Sequence, residues 1–169
     1  MLAFNVAELL TSPVGTTLDL TIEDPRPDLG PELILAAPIS GQIRLHQTQL
    51  GVLAQGQAST SVQLECARCL EPDIQGLQIK FVEEFRVAAP GEEIEADAFA
   101  IDEHHVIDLA EPLRQYFSLA LPLAPLCRED CAGLCPDCGE PLTDDHQCAL
   151  ADAQLGGPFA ALARLRQQG

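Results

Sequence analysis

The chain has 169 residues, 47% of them hydrophobic, enough for one packed domain or one domain with a small appendage. It has no Trp and one Tyr, so aliphatic side chains must fill most of the core. The net charge of −17, from 26 acids against 9 bases of which only Lys80 is a lysine, argues against broad binding to phosphate backbones or anionic membranes and suits a basic protein partner.

The N-terminus has no basic region ahead of an apolar run, so no secretory signal is read there. The longest apolar stretch, residues 117–126, is too short to span a bilayer and contains Pro122 and Pro125. A cytoplasmic location is expected. Val6 to Leu10 reads as a short helix or strand, ended by Pro13 and Gly15. Leu18, Leu20 and Ile22 alternate with polar residues, which predicts a half-buried strand over residues 16–23. Residues 24–31 hold three prolines and a glycine and predict a loop. Leu33-Ile34-Leu35 predicts a short strand stopped by Pro38.

Residues 39–65 predict a β-hairpin, with its turn near Gly51 or Gly56. A further strand is expected from about Ile74 to Val87, with Leu77, Ile79 and Phe81 on one face. Residues 88–105 are acidic and read as a solvated loop with a turn at Pro90-Gly91. Asp108 and Glu111 have capping-box spacing, and Leu109, Leu113, Tyr116, Phe117 and Ala120 then share a helix face as far as Pro122. Pro158 opens a short C-terminal helix. No internal repeat is evident. The expected fold class is α+β: an antiparallel sheet or partly open barrel with a few short helices and a C-terminal zinc-knuckle segment. Residues 1–121 form the β-rich domain, with its helix at about 108–121. Residues 122–169 form the cysteine-rich segment and last helix.

There are seven cysteines, and in a reducing compartment such clusters serve as metal ligands more often than as disulfides. In Cys135-Pro136-Asp137-Cys138-Gly139 two thiolates separated by two residues can grip one ion, and Gly139 allows a tight path after the second sulfur. A tetrahedral zinc needs two more ligands. Four of Cys127, Cys131, Cys135, Cys138 and Cys148 are expected to bind Zn2+. Cys127 and Cys148 are the favoured partners of Cys135 and Cys138, Cys131 is the substitute, and His146 is a further option. Four sulfurs with no open position would make the site structural. An iron–sulfur cluster is the alternative cofactor. Cys66-Ala67-Arg68-Cys69 is a second pair, which is read as a knuckle joining Cys135 and Cys138, as a redox pair, or as a structural pair at a strand end.

The segment Leu64-Glu65-Cys66-Ala67-Arg68-Cys69-Leu70-Glu71-Pro72 resembles the C-x-R-C region of the YceD family. Ile107-Asp108-Leu109, Leu121-Pro122-Leu123-Ala124-Pro125, the run from Cys131 to Gly139 and Pro158-Phe159-Ala160-Ala161-Leu162 resemble the family in the same order. The likeness runs from roughly residue 40 to the end. It implies a bacterial or plastid protein needed for normal levels of large-subunit ribosomal RNA, with no known enzymatic activity. Where family members often continue Asn-Leu-Asn after the knuckle, this chain has Pro141-Leu142-Thr143. Some members keep C-x-R-C without the later cysteines, which implies that the two cysteine groups are separable.

No P-loop, Rossmann glycine pattern, G-x-S-x-G or H-E-x-x-H occurs. His104-His105 reads as a surface pair. A non-catalytic factor is therefore expected, binding a ribosomal protein, a large-subunit assembly intermediate or rRNA, with no membrane and no small-molecule substrate. The alternatives are a thiol redox protein using Cys66 and Cys69, and a direct RNA binder using the zinc knuckle.

Overall fold

The computed structural model describes residues 2–25, 27, 29–87 and 99–148. In chain order the elements are β1 (Ala3–Asn5), α1 (Ala7–Thr11), β2 (Thr17–Asp24), β3 (Ile39–Gln47), β4 (Gly51–Glu65), β5 (Pro72–Val87), β6 (Phe99–Ile101), β7 (Val106–Asp108) and α2 (Ala110–Ala120). One sheet has the order β2-β3-β4-β5-β6, and β1 and β7 form a two-stranded sheet beside it. The large sheet is open, so the barrel alternative falls away. It is not wholly antiparallel either, because β6 pairs with β5 in parallel through Phe85↔Phe99 and Arg86↔Ala100.

The spine is the β4–β5 pair, in register from Gly51↔Arg86 to Glu65↔Pro72. Its inner face alternates as the sequence suggests. Val52, Ala54, Ala58 and Val62 on β4 and Leu77, Ile79, Phe81 and Phe85 on β5 are buried. The β3–β4 turn lies at residues 48–50, and Gly51 opens β4. A side chain there would place its Cβ 2.1 Å from the Phe85 carbonyl oxygen, so the approach of β5 demands glycine. Gly56, the other turn candidate, lies inside β4.

Leu33-Ile34-Leu35 forms no strand, only the single bridge Leu35↔Val62. Pairing with β3 reaches only as far as Ser59 on β4, and the segment after Pro31 takes over that edge. Ser61 O accepts from Ala36 N, and Ile34 O accepts from Gln63 N. Thr60 is a polar residue buried on the inner face of β4, and its Oγ1 donates to Ala37 O at 2.8 Å.

Where an irregular loop was expected over residues 88–105, residues 99–105 instead form β6 and a tight turn. Asp102 Oδ1 accepts from His104 N and Val106 N at 2.9 and 2.7 Å. Strands of three residues carry too little alternation to be read from sequence. The Pro90-Gly91 turn and the helix at Pro158 lie outside the described residues.

The expected capping box at α2 is not formed. Asp108 stays in β7, paired with Ala3, and its Oδ1 accepts from Ala110 N. Glu111 turns forward and takes Arg114 at 2.8 and 2.6 Å and Gln115 at 3.1 Å. A bidentate charge-assisted pair outcompetes one bond back to a backbone N–H. The apolar face of α2 is as expected. Leu113 and Phe117 are fully buried, and Tyr116 packs on Phe81 with ring centroids 6.1 Å apart.

No helix among the described residues is long and apolar enough to cross a membrane. Phe117→Ala is expected to cost about 3–5 kcal/mol by opening a cavity between α2 and the sheet. Leu119→Ala, on the same helix but 84% exposed, should change stability by about 0.5 kcal/mol or less. Denaturant unfolding of both variants measures the contrast.

Candidate metal centres

Residues 66–71 connect β4 to β5 in a tight loop. Cys66 N donates to Glu71 O at 2.9 Å, and Leu70 N donates back to Cys66 O at 2.9 Å. Residues 135–140 repeat this pattern. Cys135 N donates to Glu140 O at 2.8 Å, and Gly139 N to Cys135 O at 2.9 Å. The residue after the second cysteine is left-handed in both loops, with φ of 61° at Leu70 and 77° at Gly139. The sequences correspond, Cys-Ala-Arg-Cys-Leu-Glu-Pro and Cys-Pro-Asp-Cys-Gly-Glu-Pro. No internal repeat was expected, but this seven-residue local one is a signal in the sequence for two like sites.

Each loop meets two ligands from later in the chain. Cys66 and Cys69 come together with Cys127 and Cys131, and Cys135 and Cys138 with His146 and Cys148. In each group all ligand atoms lie within 4.8 Å of one another. The structure thus divides the five later cysteines between two groups, and Cys66 and Cys69 do not join Cys135 and Cys138. Chain spacing could not decide this. Cys131 is near Cys135 in sequence, but the segment that holds it is tied to the first loop. Ala67 N donates to Pro125 O at 2.7 Å, and Gln75 Nε2 to Leu126 O at 2.9 Å. Arg68 Nη1 donates to Glu129 O at 3.3 Å and to Cys131 O at 2.8 Å.

The spacings fit a tetrahedral ion. Metal–sulfur bonds of about 2.3 Å put two sulfurs about 3.8 Å apart, and with a nitrogen at about 2.0 Å the S···N edge is about 3.5 Å. Cys66–Cys131 and Cys69–Cys127 sulfurs are each 3.8 Å apart, and Cys138 Sγ lies 3.5 Å from His146 Nε2. A disulfide would need about 2.0 Å. The described cysteines are all free.

Electrostatics point the same way. The backbone N–H of Cys69, then those of Cys127 and Arg68, lower the Cys66 thiol to about 6. The N–H groups of Cys138 and Asp137 likewise lower Cys135 to about 6. Each loop is therefore prepared to hold a thiolate. Cys127 is exposed as a residue, but its sulfur faces the other three. Loss of hydration and the crowding of Cys131, Cys66 and Cys69 push it up to about 12. Four thiolates this close repel one another without a cation, and a dication removes the conflict.

A family model described as "Large ribosomal RNA subunit accumulation protein YceD" matches residues 54–166, a span that holds both groups. The chain belongs to the YceD family. An uncharacterized protein of Mycobacterium tuberculosis is 36% identical over 122 residues, which is 69% of this chain and 59% of that protein. A protein of Mycobacterium bovis matches to the same extent, and one of Mycobacterium leprae is 31% identical over 119 residues, 68% of this chain and 55% of that protein. The chain therefore spans less than two thirds of the length of these relatives. No solved structure matches it.

In this YceD chain the first group draws ligands from both sides of α2, whereas the second is assembled within residues 135–148. Either group can hold a metal ion. The outer loops differ at the left-handed position, where Leu70 is strained and Gly139 is not. Gly139→Leu is expected to cost about 1–2 kcal/mol. Leu70→Gly should be neutral to about 1 kcal/mol stabilising, because relief of strain is offset in part by a freer unfolded chain. Thermal unfolding of the metal-loaded protein measures both.

Proposed function

We propose that this protein supports accumulation of large-subunit ribosomal RNA as a non-catalytic binding factor in ribosome assembly. Zinc in both ligand groups holds its shape, and its partner is a basic ribosomal protein within a large-subunit assembly intermediate. The carrying observation is that each group gathers four ligand atoms within 4.8 Å of one another. A zinc ion held by four protein ligands keeps no exchangeable position, so it serves structure rather than chemistry.

The charge balance supports a protein partner. The chain is at −17, and its described arginines are engaged. Arg44 pairs with Asp19, Arg86 with Glu84, Arg114 with Glu111 and Glu32, and Arg128 with Asp130. Arg68 spends its guanidinium on the carbonyls of the first site. Engaged guanidiniums leave little for phosphate, whereas an acidic field attracts a basic protein from a distance. A thiol redox role fits less well, since Cys66 is 1% exposed and faces two more cysteines rather than open solvent.

Elemental analysis of protein purified without added metal is expected to give about two zinc per chain, and a value below about one would overturn the two-site reading. Chelation should release hydrogen-exchange protection at residues 66–71 together with 125–131, because one ion spans both. Capture from cell extract should recover a large-subunit intermediate. Submicromolar binding of bare large-subunit RNA, falling steeply with salt and lost in Lys80→Ala, would overturn the protein-partner reading in favour of RNA.

A further inference from the structure

We infer that the open edge of β5, from Ile74 to Lys80, takes an added strand from an extended, lysine- and arginine-rich segment of a partner protein. This names the contact surface for the basic partner proposed above and rests on that reading.

The phase of the ladder defines the edge. Val87 N donates to Leu50 O at 3.2 Å, so odd-numbered residues of β5 turn their backbone groups toward β4. The register runs unbroken to Pro72, so even-numbered residues turn theirs outward. At one end this outward row is satisfied. Arg86 is paired with β6, and Tyr116 Oη stands against Val82 like a piece of strand, accepting from its N–H at 3.4 Å and donating to its carbonyl at 3.2 Å. At the other end Pro72 has no N–H to offer. Between them the backbone groups of Ile74, Gly76, Gln78 and Lys80 have no partner among the described residues.

Such a row is a template for strand addition, and proteins normally keep it short or blunt it with charge. Here β5 is 16 residues long and β6 covers only its last three. Lys80 blunts one end. Gly76 leaves the middle of this stretch without a side chain, and a Cβ built there meets nothing within 4 Å, so the sheet face beside the edge is open at that point. Ile74, 65% exposed, offers an apolar contact beside it.

Charge selects the occupant. Glu65, Glu71 and Asp73 lie toward one end of the edge, and Glu83 toward the other, where Glu84 is already taken by Arg86. Arg68 is spent on carbonyls, so Lys80 is the base that the edge itself presents. A strand with Lys or Arg toward its ends meets these acids. A second copy of this chain, paired antiparallel about the middle of the edge, would bring acids against acids.

The test uses the metal-loaded full chain and follows amide hydrogen exchange residue by residue. In the free protein the amides of Ile74, Gly76, Gln78 and Lys80 are expected to exchange fast, and those of Gln75, Leu77, Ile79 and Phe81 slowly. A short synthetic peptide alternating lysine with valine should slow the first set about tenfold, and one alternating glutamate with valine should not. Gln78→Pro should abolish the effect, because its outward N–H is lost while the β4–β5 ladder keeps its bonds. Lys80→Glu, which leaves the backbone unaltered, should tighten lysine-peptide binding severalfold and keeps the idea testable if the proline variant fails to fold. Equal protection by both peptides, protection that appears with protein concentration alone, protection by large-subunit RNA instead, or no protection at all would each overturn the proposal. Capture of an assembly intermediate by wild type and Gln78→Pro alike, with no peptide protection, sinks this contact and leaves the broader reading standing. Peptide protection without any capture supports the edge and sinks the assembly role.

Discussion

The continuous hydrogen-bonded pairing of β4 with β5 is the constraint on which the rest depends. Its alternation places Val62, Ile79, Phe81 and Phe85 in the core and leaves Gln57, Gln78 and Lys80 outside. Helix α2 can pack only where that inner face is apolar, and it does so through Leu113 and Phe117. The same ladder sets the loop at its far end, so Cys66 and Cys69 emerge from the sheet in a fixed geometry. A slip of one residue would invert every side chain of β5 and move both sulfurs.

From that loop the first ligand group reaches Cys127 and Cys131, more than fifty residues on, past α2. The contact is not made by sulfur alone. Arg68 and Gln75 bond carbonyls of the approaching segment, so part of its path is set by hydrogen bonds before any ion binds. A metal there would join the sheet to the segment after α2, whereas a metal at the second group would close only a local loop. Loss of the first should therefore be felt across both regions. Loss of the second should be felt nearby.

The acidic surface and the engaged arginines are two sides of one economy of charge. With five described arginines bound to carboxylates or carbonyls, positive charge is used inside the molecule to fix geometry. What remains outward is negative.

Much of the fold was legible because burial writes a period into the chain. The alternation of Leu77, Ile79 and Phe81 marked β5, and Leu113, Tyr116 and Phe117 marked α2. Short elements such as β6 and β7 were not legible, since three residues hold no period. The capping box at Asp108 failed because Glu111 had a stronger competitor in Arg114. By itself the sequence determined that cysteines paired at two-residue spacing would make ligand loops, since the reach of the backbone there is local. Only the tertiary structure decided which cysteines are gathered into one ligand group. That choice turns on where the chain returns after α2, and Cys131 lies beside Cys66 through contacts that no spacing along the chain encodes.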